Sequence, residues 1–157
     1  MKAIETALSL TQAYKLGIER FEKMLGDEFS KAIELMNKTN EHIIICGMGK
    51  SGLVGRKISS TLASTGTPSI FLHPAEAIHG DLGKVQKKSI VLLISYSGET
   101  EEIIALIPAF KRLNVTIVAL TGVKDSTLAS KADIILDTSV DREACPLNLA
   151  PTTSTMI

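Results

Sequence analysis

The sequence predicts an α/β fold: a doubly wound, five-stranded parallel sheet flanked by helices, with an N-terminal helical arm. Three observations carry this. Five short apolar runs, at 43–46, 69–72, 90–94, 115–120 and 134–136, lack polar alternation and suit strands buried on both faces. Between them, apolar residues recur at helical spacing, as Val54, Ile58 and Leu62, then Ile103, Ile107 and Phe110, each set making one stripe on a helix. Strand and helix therefore alternate, as parallel strands and their crossovers require.

Taken in order, residues 3–38 come first, where Leu10, Tyr14, Ile18, Phe21 and Leu25 repeat at helical spacing and Gly26 and Asp27 make a break before a second helix. Residues 1–40 are read as the arm. His42 stands at the start of the first strand and reads as structural. Each of the first four apolar runs is followed by a polar, glycine-bearing stretch. In open α/β sheets ligands collect beyond the carboxyl ends of the strands. The stretches that matter are therefore 47–52, 73–83, 95–102 and 121–126.

The totals exclude several functions. A chain of 157 residues fits one domain, 1–157, and buries about two thirds of its surface without metal or disulfide staples. Lys plus Arg and Asp plus Glu both number 17, and no basic run suggests nucleic acid or an anionic membrane. The apolar runs fall far short of the roughly 20 residues that cross a bilayer. The N-terminus carries Glu5 and lacks an apolar signal core, so a cytoplasmic location is expected. Cys46 and Cys145 have no metal-ligand spacing and read as reduced thiols.

The stretch GMGKSG, 47–52, follows a strand and opens a helix. It matches the dinucleotide fingerprint formally, but the acid expected about 20 residues on is missing: the second strand ends in SIFLHP, with no acid until Glu76. A Walker loop ending at Lys50 and Ser51 would need glycine where Ile44 stands. What survives is a tight turn that brings backbone close to a ligand, with Lys50 able to neutralise an anion or polarise a carbonyl.

In SYSGETEEI, 95–103, the hydroxyls of Ser95, Ser97 and Thr100 combine with Gly98 and a helix N-terminus. Free N–H groups and the positive helix end suit a single phosphate; the same hydroxyls could instead cap the helix. Glu99, Glu101 and Glu102 all complement the dipole. A carboxylate beside a phosphate site has a second use, removal of the proton next to a sugar carbonyl, and Glu102 on the first turn is placed for it. His73 and His79, near Glu76 and Asp81, offer hydroxyl binding, proton transfer or metal ligation.

Together, GMGKSG, STGTPS, HPAEAIHGDLG, SYSGETEEI and EACPLNLAPTTST resemble, in order, the sugar isomerase (SIS) domain of D-arabinose 5-phosphate isomerases. The resemblance implies a flavodoxin-like sheet and reversible interconversion of D-ribulose 5-phosphate and D-arabinose 5-phosphate through an enediol. That reaction supplies the 3-deoxy-D-manno-octulosonate branch of lipopolysaccharide or capsule synthesis. It implies Lys50, Glu102 and Glu143 as catalytic positions, with either glutamate as the base. Gly49, Ser51, Gly66, Thr67 and His79 are implied to contact substrate, beside Ser95, Ser97, Gly98 and Thr100 on the phosphate. No cofactor is implied as required; His73 matches a position that can hold an inhibitory divalent metal such as zinc. The implied assembly is a homotetramer with sites between subunits and the arm packed across an interface.

Members of that family continue past APTTST into a further helix and a loop with another functional histidine, whereas this sequence stops at Ile157. Two readings therefore stand: an isomerase, and a non-catalytic phosphosugar-binding module.

Overall fold

The arm divides where its apolar stripe is interrupted. In the computed structural model, which describes residues 2–157, α1 (Lys2–Met24) and α2 (Asp27–Lys38) flank Gly26. Asp27 and Glu28 lie in the first turn of α2 and Lys38 in its last, matching the helix dipole at both ends.

Beyond the arm, the five predicted runs become β1 (Ile43–Gly47), β2 (Ser69–Leu72), β3 (Ile90–Ile94), β4 (Thr116–Thr121) and β5 (Ile134–Asp137). All pair in parallel, in the order β2-β1-β3-β4-β5. The crossovers carry α3 (Gly49–Ser64), α4 (Pro74–Ile78), α5 (Glu101–Leu113) and α6 (Thr127–Lys131). The five-residue helix α4 falls in the 73–83 stretch, read from sequence as a loop, and the equally short α6 follows the 121–126 stretch without a sequence signal, because one turn of helix has no periodicity to detect.

Successive strand residues point to opposite faces, which divides the core into two layers. Ile44, Cys46, Val91, Leu93 and Ile117 pack with Ile103, Leu106 and Phe110 of α5 and Leu128 of α6. Ile43, Ile45, Ile90, Leu92 and Val118 face Ala32 and Met36 of α2 and Ile58 and Leu62 of α3. Helix α3 lies close on β1: a methyl group added to Gly52 would come 2.7 Å from the Gly47 carbonyl oxygen.

Helix α1 is absent from both layers. It docks on the chain's own terminal segment, where the Arg20 guanidinium donates to the Ser139 carbonyl at 3.1 Å, the Ser139 hydroxyl at 3.0 Å and the Asp141 carboxylate at 2.7 Å. Gly17 makes room for Thr153, whose Cγ2 would collide with an added Cβ. Ile4 and Leu8 on the same helix stay 68% and 63% exposed.

From β1 the chain moves outward to β2, then returns past β1 to β3 on its other side. The strand order thus reverses between β1 and β3, where the two following loops diverge and leave a crevice. Gly47 and Ile94 are register partners at this point, so GMGKSG and SYSGETEEI emerge side by side.

Candidate functional site

The loop after β3 is shaped by its own hydroxyls. The Ser95 hydroxyl, 3% exposed, accepts the Gly98 N–H at 3.1 Å and is paired with the Thr100 hydroxyl at 2.8 Å. Ser97 Oγ accepts the Glu99 N–H at 3.2 Å. Gly98 has φ +67°, and a Cβ there would run into the Ser126 hydroxyl, so both backbone and space demand glycine. Thr100 precedes α5 without a side-chain capping bond. The Ile103 N–H is taken by the Thr100 carbonyl at 3.0 Å, while the Glu101 and Glu102 amides keep their donors at the positive end of a 13-residue helix.

The other face of this loop is clamped to the start of α6. Glu99 Oε1 accepts the Thr127 N–H at 2.6 Å, and the Gly98 carbonyl accepts the Leu128 N–H at 3.0 Å. Ser126 Oγ in turn accepts the Ala129 N–H at 3.3 Å. Of the three glutamates, Glu99 is thus explained by structure alone, as a tie between loop and helix.

The turn after β1 has the same design. Met48 supplies no side-chain cap to α3, Gly49 turns with φ +55°, and the first-turn amides lack a capping hydroxyl. Ser51 is half-buried; Lys50, one residue earlier, is exposed.

A third segment, distant in sequence, completes the crevice. Glu143, Asn148, Leu149 and Pro151 meet Met48, Ser51, Ile94, Ser95, Tyr96, Ser97 and Thr100 around a cleft of roughly 360 Å³. Glu143 is 9% exposed. Its carboxylate accepts the Thr152 N–H at 2.7 Å, the Thr152 hydroxyl at 3.1 Å, the Ser154 N–H at 3.2 Å and a short bond from the Ser154 hydroxyl. Burial pushes its pKa up, but the hydrogen bonds from Ser154 and Thr152 outweigh burial and hold it below the usual glutamate value. Cys145 is held below the usual thiol value by the backbone amides of Ala150, Leu149 and Leu147.

Of the sequence-predicted residues, Ser51, Ser95, Ser97, Thr100 and Glu143 line one cleft. Gly49, Lys50, Gly98 and Glu102 flank it from the same two loops, with Glu102 half-buried on the first turn of α5. His73 and His79 sit at the two ends of α4. The His73 ring stands edge-on to Phe71 at 6.5 Å, with Nδ1 buried and unpartnered among the described residues; His79 is exposed. Gly66 and Thr67 are elsewhere. They precede β2, after the 16 residues of α3, which carry them about 24 Å from its N-terminus to the amino ends of the strands. One chain therefore does not bring them to the cleft.

No group of three or more His, Cys, Asp and Glu side chains converges as a metal site among the described residues. To hold an ion, His73 would need further ligands from beyond its own surroundings. No helix among the described residues is long and apolar enough to cross a membrane.

Sequence reasoning passed over Tyr96, Asn148, Leu149 and Pro151 as site residues. Tyr96 is fixed by the Gly122 N–H on its carbonyl at 2.9 Å and the Val140 N–H on its hydroxyl at 3.3 Å. The signal for Asn148 was present, since asparagine in a Pro-rich stretch marks a left-handed turn, which is its conformation, φ +52°.

The chain is 55% identical over 133 residues to arabinose 5-phosphate isomerase KdsD of Pseudomonas aeruginosa, covering 85% of this chain and 41% of that protein. It is 46% identical over 137 residues to arabinose 5-phosphate isomerase GutQ of Escherichia coli K12, covering 87% of this chain and 43% of that one. The chain thus spans about two fifths of the length of these curated relatives. Among solved structures, a protein of Escherichia coli CFT073 in complex with arabinose 5-phosphate is similar, with TM-score 0.84 and 37% identity over 96% of this chain and 82% of the other. The SIS domain profile matches residues 35–157, which include both loops of the switch point and the terminal wall of the cleft: the chain belongs to the SIS domain family.

Proposed function

We propose that the chain forms the isomerising domain of an aldose–ketose isomerase that interconverts D-arabinose 5-phosphate and D-ribulose 5-phosphate. One observation carries the reading: the uncapped start of α5 and the hydroxyls of Ser95, Ser97 and Thr100 share a cleft with Ser51 and Glu143. The phosphate sits on the amides at the head of α5, and the open-chain sugar extends towards the terminal wall. The names of the relatives, arabinose 5-phosphate isomerases of 55% and 46% identity, support the substrate.

The reaction needs a base that takes the proton from C2 of the aldose while O1 gains negative charge. The enediolate is reprotonated at C1, and the proton that leaves O2 passes to O1, which gives the C2 ketone and the C1 hydroxyl. C1 is reduced and C2 oxidised within one molecule. Lys50 stabilises the enediolate oxygen. Glu143 is a weak base here, because four hydrogen bonds stabilise its ionised form. Glu102 carries no such set of partners and is assigned the proton transfer; Glu143 holds the terminal wall in place.

The product feeds the 3-deoxy-D-manno-octulosonate branch of lipopolysaccharide or capsule synthesis, in the cytoplasm. Gly66, Thr67 and His79 contact substrate in a homotetramer, contributed across a subunit boundary. The position of Gly66 and Thr67 at the far end of the sheet and the exposed Ile4 and Leu8 support that assembly.

A second reading, a non-catalytic phosphosugar-binding module, is favoured by the placement of Lys50 and Glu102 beside the cleft lining rather than in it. Following arabinose 5-phosphate by NMR separates the two. The isomerase reading expects ribulose 5-phosphate to accumulate, and Glu102→Gln to abolish turnover while calorimetric binding of the sugar phosphate persists. Binding without turnover in the unaltered chain selects the module; absence of binding rejects both.

A further inference from the structure

Asn148 lies in the terminal wall of the cleft, and nothing in the sequence motifs assigned it a contact with substrate. Two features fix its side chain. The backbone is left-handed, φ +52°, and its N–H donates to the Cys145 carbonyl at 2.9 Å. The side-chain Oδ1 accepts the Glu143 N–H at 2.8 Å. An N–H can be met only by the oxygen of an asparagine amide, so this bond decides which way the amide faces. The Nδ2 group carries the two remaining hydrogens, and neither has a protein partner among the described residues.

The cleft that Asn148 lines also contains the hydroxyl loop of Ser95, Ser97 and Thr100. That loop and the head of α5 already supply donors enough for a phosphate. Asn148 belongs to a different stretch of chain, is exposed, and lines the cleft beside Leu149 and Pro151, across from the hydroxyl loop and Ser51. A ligand oxygen there gains a donor whose orientation cost has been met before binding.

We propose that Asn148 is a substrate-binding residue that donates from Nδ2 to a carbohydrate oxygen of the phosphosugar, setting affinity for the sugar rather than for the phosphate. The inference rests on the reading of the cleft as a phosphosugar site. It assigns a role to the Asn of EACPLNLAPTTST that a turn former alone would not have.

Two variants separate contact from scaffold. Asn148→Asp keeps the left-handed tendency and the Oδ acceptor for Glu143 N–H but replaces the donor by an anionic oxygen. Asn148→Gly suits φ +52° and removes the donor without adding charge. Calorimetry with arabinose 5-phosphate and with inorganic phosphate reads the outcome, and thermal melts monitor folding. The expected result is a Kd for arabinose 5-phosphate raised about tenfold or more in both variants, the loss of one well-made hydrogen bond. The Kd for inorganic phosphate should stay unchanged in Asn148→Gly. Wild-type affinity for arabinose 5-phosphate in Asn148→Gly, or equal weakening for inorganic phosphate, overturns the assignment and leaves the phosphosugar reading intact. Failure of the unaltered chain to bind arabinose 5-phosphate overturns the phosphosugar reading and this assignment with it.

Discussion

Single side chains set the chemistry of the cleft through their hydrogen bonds. Glu143 is the clearest case. Its folded pKa lies below the ordinary glutamate value of 4.5, so on acidification the unfolded chain takes up the proton first. Its stabilisation is complete above pH 4.5 and is lost as pH falls through the lower, folded value. Glu143→Gln should therefore cost about 2 kcal/mol at pH 7, lowering the thermal midpoint by about 4–8 °C. Its stability should also depend less on pH between about 5 and 3 than that of the unaltered chain; identical acid curves would refute the ionised anchor. The two cysteines divide in a similar way. Cys46, fully buried, is pushed up to about 12, whereas Cys145 is part-exposed and held below the usual thiol value by backbone amides. Reactivity follows the thiolate. Iodoacetamide at neutral pH should label Cys145 in the folded protein and Cys46 only in denaturant, as peptide mass spectrometry would report. Early labelling of Cys46 would contradict its place in the core.

At the scale of elements, two helix starts and one docking helix build the site. The heads of α3 and α5 are left without side-chain caps, whereas α6, clamped against the far side of the 95–100 loop, is capped by Ser126. An uncapped start forgoes about 1 kcal/mol and keeps its amides available. Helix α1 matters to the cleft at one remove. It grips Ser139, Asp141 and Thr153, the stretch that carries Glu143 and Asn148, and the Thr153 hydroxyl accepts the Ala144 N–H at 2.8 Å. Gly17→Ala would drive a methyl into fully buried Thr153. Overpacking of this kind costs about 1–3 kcal/mol. Hydrogen exchange should then show α1 and residues 139–155 opening together while the sheet stays protected; exchange confined to α1 would mean the helix does not support the wall. The arm had been expected to pack between subunits. Within the chain it packs in cis, because Ala13 and Gly17 present a small-residue face to the terminal segment while Ile4 and Leu8 remain outside.

For the whole molecule, α1 and α2 leave a set of large apolar residues uncovered. Ile4, Leu8, Leu16, Phe29 and Ile33 are between 38% and 68% exposed, the kind of apolar surface that the proposed assembly would cover. In light scattering, the proposed homotetramer should give four times the chain mass, and Ile4→Lys with Leu8→Lys should lower it while leaving the circular dichroism spectrum unchanged. A monomeric mass for the unaltered chain would defeat the proposal that Gly66, Thr67 and His79 reach a site across subunits.

The local code determined the elements. Runs such as IIICG and IVLLI, buried along their whole length, could be read as two-faced strands, because an unbroken apolar run has only one stable place in an α/β fold. SYSGETEEI announced a helix start with hydroxyls because Gly98 and the acids obey rules that act within a few residues. What only the tertiary structure decided was contact at long separation. It set the strand order that puts 47–52 beside 95–102, the closing of the cleft by 143–151, and the clamp of Glu99 on α6. It also separated Glu102 from Glu143, equivalent as carboxylates in sequence. A glutamate's acidity depends on how many donors surround it, and the donors on Glu143 come from a turn whose position is fixed by α1, more than a hundred residues away.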